Sequence, residues 1–304
     1  MLAFRHRQFV HRIVKPRLPG GLSAALLAFG LLQSGIVEAG TITTLTGGGN
    51  GDGGPATSAT LDGPNGLAVD GAGNVFVSDA LRSRIRRVDA ATSRIDTIAG
   101  TGQNGDSGDG GPAVAATLSN PIGVALDPAG NLYIADNTNY RVRKVNAATG
   151  IIETVAGVGQ EGFSGDGGPA TSARMGQAWS IAVDAAGNVF VGDVNYMRVR
   201  RIDAATGVIQ TVAGNGTLGA NGDGGLAVIA GIGSPFGIGL DGAGNLFIAD
   251  SYSRVRRVDA VTGIITTVAG SNVVGFGGDG GPATAASLSQ PHAVVADAGG
   301  NLFI

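Results

Sequence analysis

Residues 123–156 read GVALDPAGNLYIADNTNYRVRKVNAATGIIETVA, and they parse into four short segments separated by turn residues. Gly123-Val124-Ala125-Leu126-Asp127 is a short β pattern closed by Pro128-Ala129-Gly130. Asn131 to Asp136 is a second strand, Arg141 to Asn146 a third and Ile151 to Ala156 a fourth. Asn137–Tyr140 and Ala147–Gly150 carry the Asn, Thr and Gly content of tight turns. Four strands of this length joined by such turns predict an antiparallel meander.

The same pattern recurs along the chain. Five copies of G-D-G-G-[PL]-A place Asp52, Asp109, Asp166, Asp223 and Asp279 at intervals of 57, 57, 57 and 56 residues. Repeats of four strands at such a period are the signature of propeller blades. The second strand is apolar on both faces, as in Val75-Phe76-Val77 and Leu132-Tyr133-Ile134. A strand covered on both sides loses polar–apolar alternation. Its central aromatic recurs as Phe76, Tyr133, Phe190, Phe247 and Phe303, which predicts blade-to-blade packing. Small residues in the first strand, as in Gly66-Leu67-Ala68-Val69, suit a crowded axis, and the charged third strand reads as an outer one. The fold class is therefore all-β: a β-propeller of four-stranded antiparallel blades, with four full blades and a partial fifth.

Composition agrees. Fifty-five glycines lack any three-residue period, 43% of residues are hydrophobic and 14% are charged, which excludes collagen-like and disordered chains. The N-terminus stands apart from the array. Arg5, Arg7, Arg12, Lys15 and Arg17 precede an apolar Leu22–Leu32, and Val37-Glu38-Ala39 has the small residues of a cleavage site. Residues 1–39 read as a secretory signal peptide cut after Ala39, with residues 40–304 forming the propeller. The apolar stretch is short for a membrane anchor. Beyond residue 39 there remain 15 Lys+Arg against 22 Asp+Glu, a net charge of −7, from totals of 20 and 23. An acidic exported chain is a poor nucleic-acid binder. There is no Cys, so stability rests on packing and not on disulfides.

The run Asp136-Asn137-Thr138-Asn139-Tyr140-Arg141-Val142, following Ala125 to Asn131, resembles the NHL repeat. The G-D-G-G-[PL]-A loop with the Ala and Leu after it is similar to the NHL propeller of teneurins and their bacterial relatives. The resemblance runs from about residue 41 to the last residue. It implies six blades in a complete ring, and a function that ranges from binding modules and RNA binders to a few lyases. Ile42-Thr43-Thr44-Leu45-Thr46-Gly47 matches the fourth-strand pattern, and the fifth unit stops in its second strand at Ile304. The pattern reads as incomplete at its C-terminal end, with Ile42–Gly47 as a ring-closing strand.

The repeated acids read first as architecture. Asp70, Asp127, Asp184, Asp241 and Asp297 precede turns whose amides they can cap. Asp79, Asp136, Asp193 and Asp250 end the second strand, positioned to meet Arg84, Arg141, Arg198 and Arg254 across the hairpin as exposed pairs. The G-D-G-G loop reads as a positive-φ turn feeding a short helix with Pro55, Pro112, Pro169 and Pro282 in its first turn. Asp106 and Asp109 are the pair of carboxylates close enough to suggest calcium, which wants six to eight oxygens.

Enzymatic constellations are sparse. After residue 39, His292 is the only His, Lys144 the only Lys, and Glu153 and Glu161 the only Glu. Transition-metal sites, phosphate loops and acyl-transfer triads lack their usual members. What does not repeat is more informative. Asn65, Ile122, Trp179, Phe236 and His292 occupy equivalent places at the start of the innermost strand and differ completely. Tyr140, Tyr196 and Tyr252 lie at variable tips between strands two and three, expected on the same face. These eight are the ligand-face candidates. The reading is an exported recognition or scaffold module binding a protein or glycan through this face, more readily than an enzyme. A lyase or lactonase with a site at the axis, and a structural repeat segment of a larger surface protein, are the alternatives.

Overall fold

The computed structural model describes residues 51–304; the segment 1–39 expected to be a signal peptide and the expected closing strand Ile42–Gly47 lie outside the described residues. Four four-stranded antiparallel meanders follow one another, each with its strands in sequence order from the axis outwards. The first comprises Pro64–Val69, Val75–Asp79, Arg84–Val88 and Arg94–Ala99. The second comprises Pro121–Leu126, Leu132–Asp136, Arg141–Val145 and Ile152–Ala156. Ala178–Val183 to Ile209–Ala213 form the third, and Pro235–Leu240 to Ile265–Ala269 the fourth. Val295–Ala296 and Leu302–Phe303 begin a fifth. This is a β-propeller of four full blades and part of another.

The blades pack through the second strand, as the sequence predicts. Phe76, Tyr133, Phe190 and Phe247 are all at most 8% exposed. Each joins residues of the following blade: Phe76 meets Val124 and Leu132, and Phe190 meets Ile238 and Leu246. Near the axis the first strands approach so closely that a side chain does not fit. A Cβ on Gly66 would lie 2.1 Å from the Ile122 carbonyl oxygen, and one on Gly237 2.5 Å from that of His292. Buried donors tie neighbouring blades to one another. Ser78 Oγ donates to the Ile122 carbonyl at 2.7 Å, Asn137 Nδ2 to that of Ala178 at 2.9 Å and Ser180 Oγ to that of Pro235 at 3.1 Å.

The two faces differ. On one, Asp127 Oδ1 accepts the amides of Ala129 and Asn131 and its Oδ2 the Asn131 side-chain amide, and Asp70, Asp184, Asp241 and Asp297 repeat the arrangement. The other face carries the starts of first strands, the tips after second strands and the long inter-blade loops. Pairing of Pro121 with Asp136, Ala178 with Asp193 and Pro235 with Asp250 fixes that placement.

Three sequence readings need correction. The G-D-G-G loop does not stop at a blade boundary. It runs out along the fourth strand of the blade it leads into: Gly110 N–H donates to the Ile152 carbonyl and Ile152 N–H to that of Gly111. A single 3-10 turn, Ala113–Ala115, then returns the chain inwards, and Pro112 precedes that turn in an extended conformation instead of sitting inside it. The third strand is not an outer one. Its middle arginines, Arg86, Arg143, Arg200 and Arg256, are among the most buried side chains. Finally, the acids that end strand two are wholly buried, and Asp79 and Asp136 pair with Arg86 and Arg143, at 3.9 and 3.5 Å, instead of Arg84 and Arg141. Asp250 does meet Arg254, at 3.7 Å.

Candidate axial site

The first two blades complete the same ion chain beneath different residues, whereas in the fourth Asp250 pairs with Arg254. In the second blade, Asp109 of the loop holds the Arg143 guanidinium at 2.6 Å, and Arg143 reaches Asp136. Asp136 Oδ1 then accepts the backbone N–H of Ser119 at 2.7 Å, three residues before Ile122. The corresponding N–H groups of Asp62 and Gly176 donate to Asp79 and Asp193. The loop acids Asp52, Asp166 and Asp223 hold Arg86, Arg200 and Arg256 at 2.5–2.7 Å. Repeated ion chains thus pin the backbone that leads to the variable positions.

Burial sets the electrostatics of these chains. It drives the carboxyls of Asp79, Asp193 and Asp250 above the ordinary Asp range, and that of Asp136 to about 6, against the hydrogen bonds and guanidinium charge that favour the anion. Burial pushes Asp109 in the same direction, but hydrogen bonds from Thr154 and the charge of Arg143 outweigh it and hold Asp109 below that range. The calcium candidates face guanidinium groups: Asp109 is engaged by Arg143, and Asp106 lies 3.4 Å from Arg141. Among the described residues no group of three His, Cys, Asp or Glu is placed to hold a metal.

The five innermost candidates come together. Asn65, Ile122, Trp179, Phe236 and His292 all line one axial cavity of about 790 Å³. Trp179 meets Phe236 edge-on at 5.6 Å between ring centroids, and Phe236 stacks on His292 at 4.6 Å and 12°. Three consecutive blades thereby present one aromatic ladder. Val124, Ile181 and Ile238 continue the wall; the sequence reading missed them, although their signal was available, since each lies two residues beyond an anchor on the same strand face. Among the described residues, no Asp, Glu, Lys or Arg lines the cavity.

The three tyrosines share the face but not the cavity. Tyr140 Oη lies 3.4 Å from Glu161 Oε2, whose other oxygen accepts from Asn195 Nδ2 at 2.7 Å. Tyr196 packs over Gly176 and beside Phe163, whose ring lies 4.0 Å from the Arg198 guanidinium carbon. Tyr252 covers Gly233. Glu161 and Phe163 were not foreseen as members of this cluster, because the long loops that carry them have no pattern linking them to the hairpin tips.

Comparison with known proteins follows the same lines. The profile of the Teneurin NHL domain matches residues 93–164. The chloroplastic protein SUPPRESSOR OF QUENCHING 1 of Arabidopsis thaliana is 26% identical over 81% of this chain and 24% of its own length. Mouse Teneurin-1 is 31% identical over 68% of this chain and 8% of its own length. The chain thus spans a quarter or less of these relatives. Among solved structures, a gluconolactonase from Xanthomonas campestris superposes with a TM-score of 0.52 at 13% identity, covering 80% of this chain and 69% of the other, a likeness of fold alone.

Proposed function

From the premise that the chain is an NHL-repeat β-propeller, we propose that it is an exported recognition module that binds a protein or glycan through its loop face, anchored at the axial cavity. The observation that carries this is the contrast between the faces. One face repeats the same Asp-capped turn in every unit, whereas the five positions that differ most converge on one cavity. Variable residues on a fixed scaffold are what recognition requires. An aromatic ladder supplies large, rigid contact area of the kind that dominates binding energy.

The lactonase or lyase reading has the fold likeness in its favour, but the lining offers it little. Among the described residues, His292 is the only titratable side chain there. General acid–base work on a sugar lactone needs a second positioned group.

The test is binding to arrayed extracellular domains and glycans by the intact chain and by Trp179→Ala. The variant loses the captured ligand while its circular dichroism and melting curve are retained. Loss of the fold instead would make Trp179 part of the core and end the reading. Sequencing of the exported product, beginning at Gly40, tests the signal segment.

A further inference from the structure

We infer that the axial cavity takes one apolar side chain presented by a peptide segment, with the peptide's own amide groups held at the mouth; this rests on the loop-face reading above. The argument is about where polar atoms can go. Below the mouth the wall is Val124, Ile181 and Ile238, all buried, and the Ser180 hydroxyl is committed to the Pro235 carbonyl. A hydroxyl or charge placed there would lose water and find no partner. A pyranose, with polar groups around its ring, does not suit that depth.

The mouth is different. The Asn65 amide, the Trp179 indole N–H and the His292 imidazole make no hydrogen bond to other described residues. They offer donors and an acceptor at the rim of an apolar slot. A backbone carries one donor and one acceptor per residue, immediately beside its side chain. An apolar side chain on a peptide therefore matches both zones.

Trp179 is the only Trp in the chain, so its fluorescence reports on this cavity alone. N-acetyl-leucinamide added to the intact chain is expected to move that emission to shorter wavelength saturably, in the millimolar range. N-acetyl-serinamide and methyl glucoside should leave it unmoved, and cyclohexanol should bind several-fold more weakly than the leucinamide. Asn65→Ala, at an exposed position, should weaken the leucinamide several-fold and leave cyclohexanol unchanged. A saturable response to the glucoside, no saturation with the leucinamide, or cyclohexanol binding as tightly as the leucinamide would each overturn the inference. A silent leucinamide together with Trp179-dependent capture on the arrays would sink this inference and leave the loop-face reading standing. A saturable leucinamide with no Trp179-dependent capture would do the reverse.

Discussion

Asp136 accepts the backbone N–H of Ser119 at 2.7 Å, so a side chain at the end of one strand fixes the approach to the neighbouring strand that carries Ile122. The carboxylate is wholly buried and sits at the end of an ion chain from Asp109 through Arg143. What repeats in this protein therefore positions what varies.

That burial has a pH signature. The Asp136 carboxyl is raised to about 6 from 3.8. Between those values the folded state binds the proton and the unfolded chain does not, so this group's contribution to stability is present below about pH 4 and lost as pH rises through about 6. The difference is on the order of 3 kcal/mol. Asp136→Asn should remove the effect, so that wild-type stability relative to the variant falls between about pH 4 and about pH 6.5. Urea unfolding of both proteins across that range reads it; a constant difference would contradict it.

The middle of the chain is the costly member to lose. Arg143→Ala leaves Asp136 buried without its cation and should cost about 3–5 kcal/mol. Asp109→Asn alters a carboxylate that is 43% exposed and should cost about 1 kcal/mol or less. Equal losses in chemical denaturation would argue against the ordering.

Axial crowding makes a sharper contrast between two glycines five residues apart in one unit. Gly66→Ala drives a Cβ into the Ile122 carbonyl, whereas Gly71 has nothing within 4 Å. The first should cost about 1–3 kcal/mol through forced backbone movement; the second should be nearly neutral. Thermal melting of the pair distinguishes them.

Calcium gives a further test. With Asp109 engaged by Arg143 and Asp106 beside Arg141, the melting temperature should be the same in millimolar calcium as in chelator. A calcium-dependent rise, removed by Asp106→Ala, would reinstate those loops as a site.

Much of this is legible in the sequence. The constant spacing of Asp52 to Asp279 and the two-sided apolar second strands specify the blades, because a strand buried on both faces leaves few other architectures. The grouping of Asn65, Ile122, Trp179, Phe236 and His292 was legible too, since equivalent positions with unlike residues stand out only once the repeat is aligned. The ion partners were not. Asp136 lies opposite Arg141 in the ladder, yet Arg143 is its diagonal neighbour on the same face, within reach of a long side chain. The choice between them is made by the G-D-G-G loop, which folds over that face and brings Asp109 to Arg143, and by Asp106, which draws Arg141 away. The tyrosines lie on the loop face but outside the cavity, because a shared face does not mean a shared radius. Tyr196 and Tyr252 lean on Gly176 and Gly233, outside the ring of anchors.

The path of that loop along each fourth strand has one more consequence. A sheet's last strand exposes a row of unpaired amides and carbonyls, which recruit other chains into intermolecular sheets. A protein with many blades multiplies such margins, and this one carries neither disulfides nor many charges to deter them. Gly53 N–H donating to Ile95, Gly110 to Ile152, Gly167 to Ile209 and Gly224 to Ile265 occupy part of this margin in each of the four full blades from within the molecule. The loop that meters the repeat is in this respect a safeguard against self-association, and it lets the same unit be copied along a chain without each copy adding a new seed for fibres.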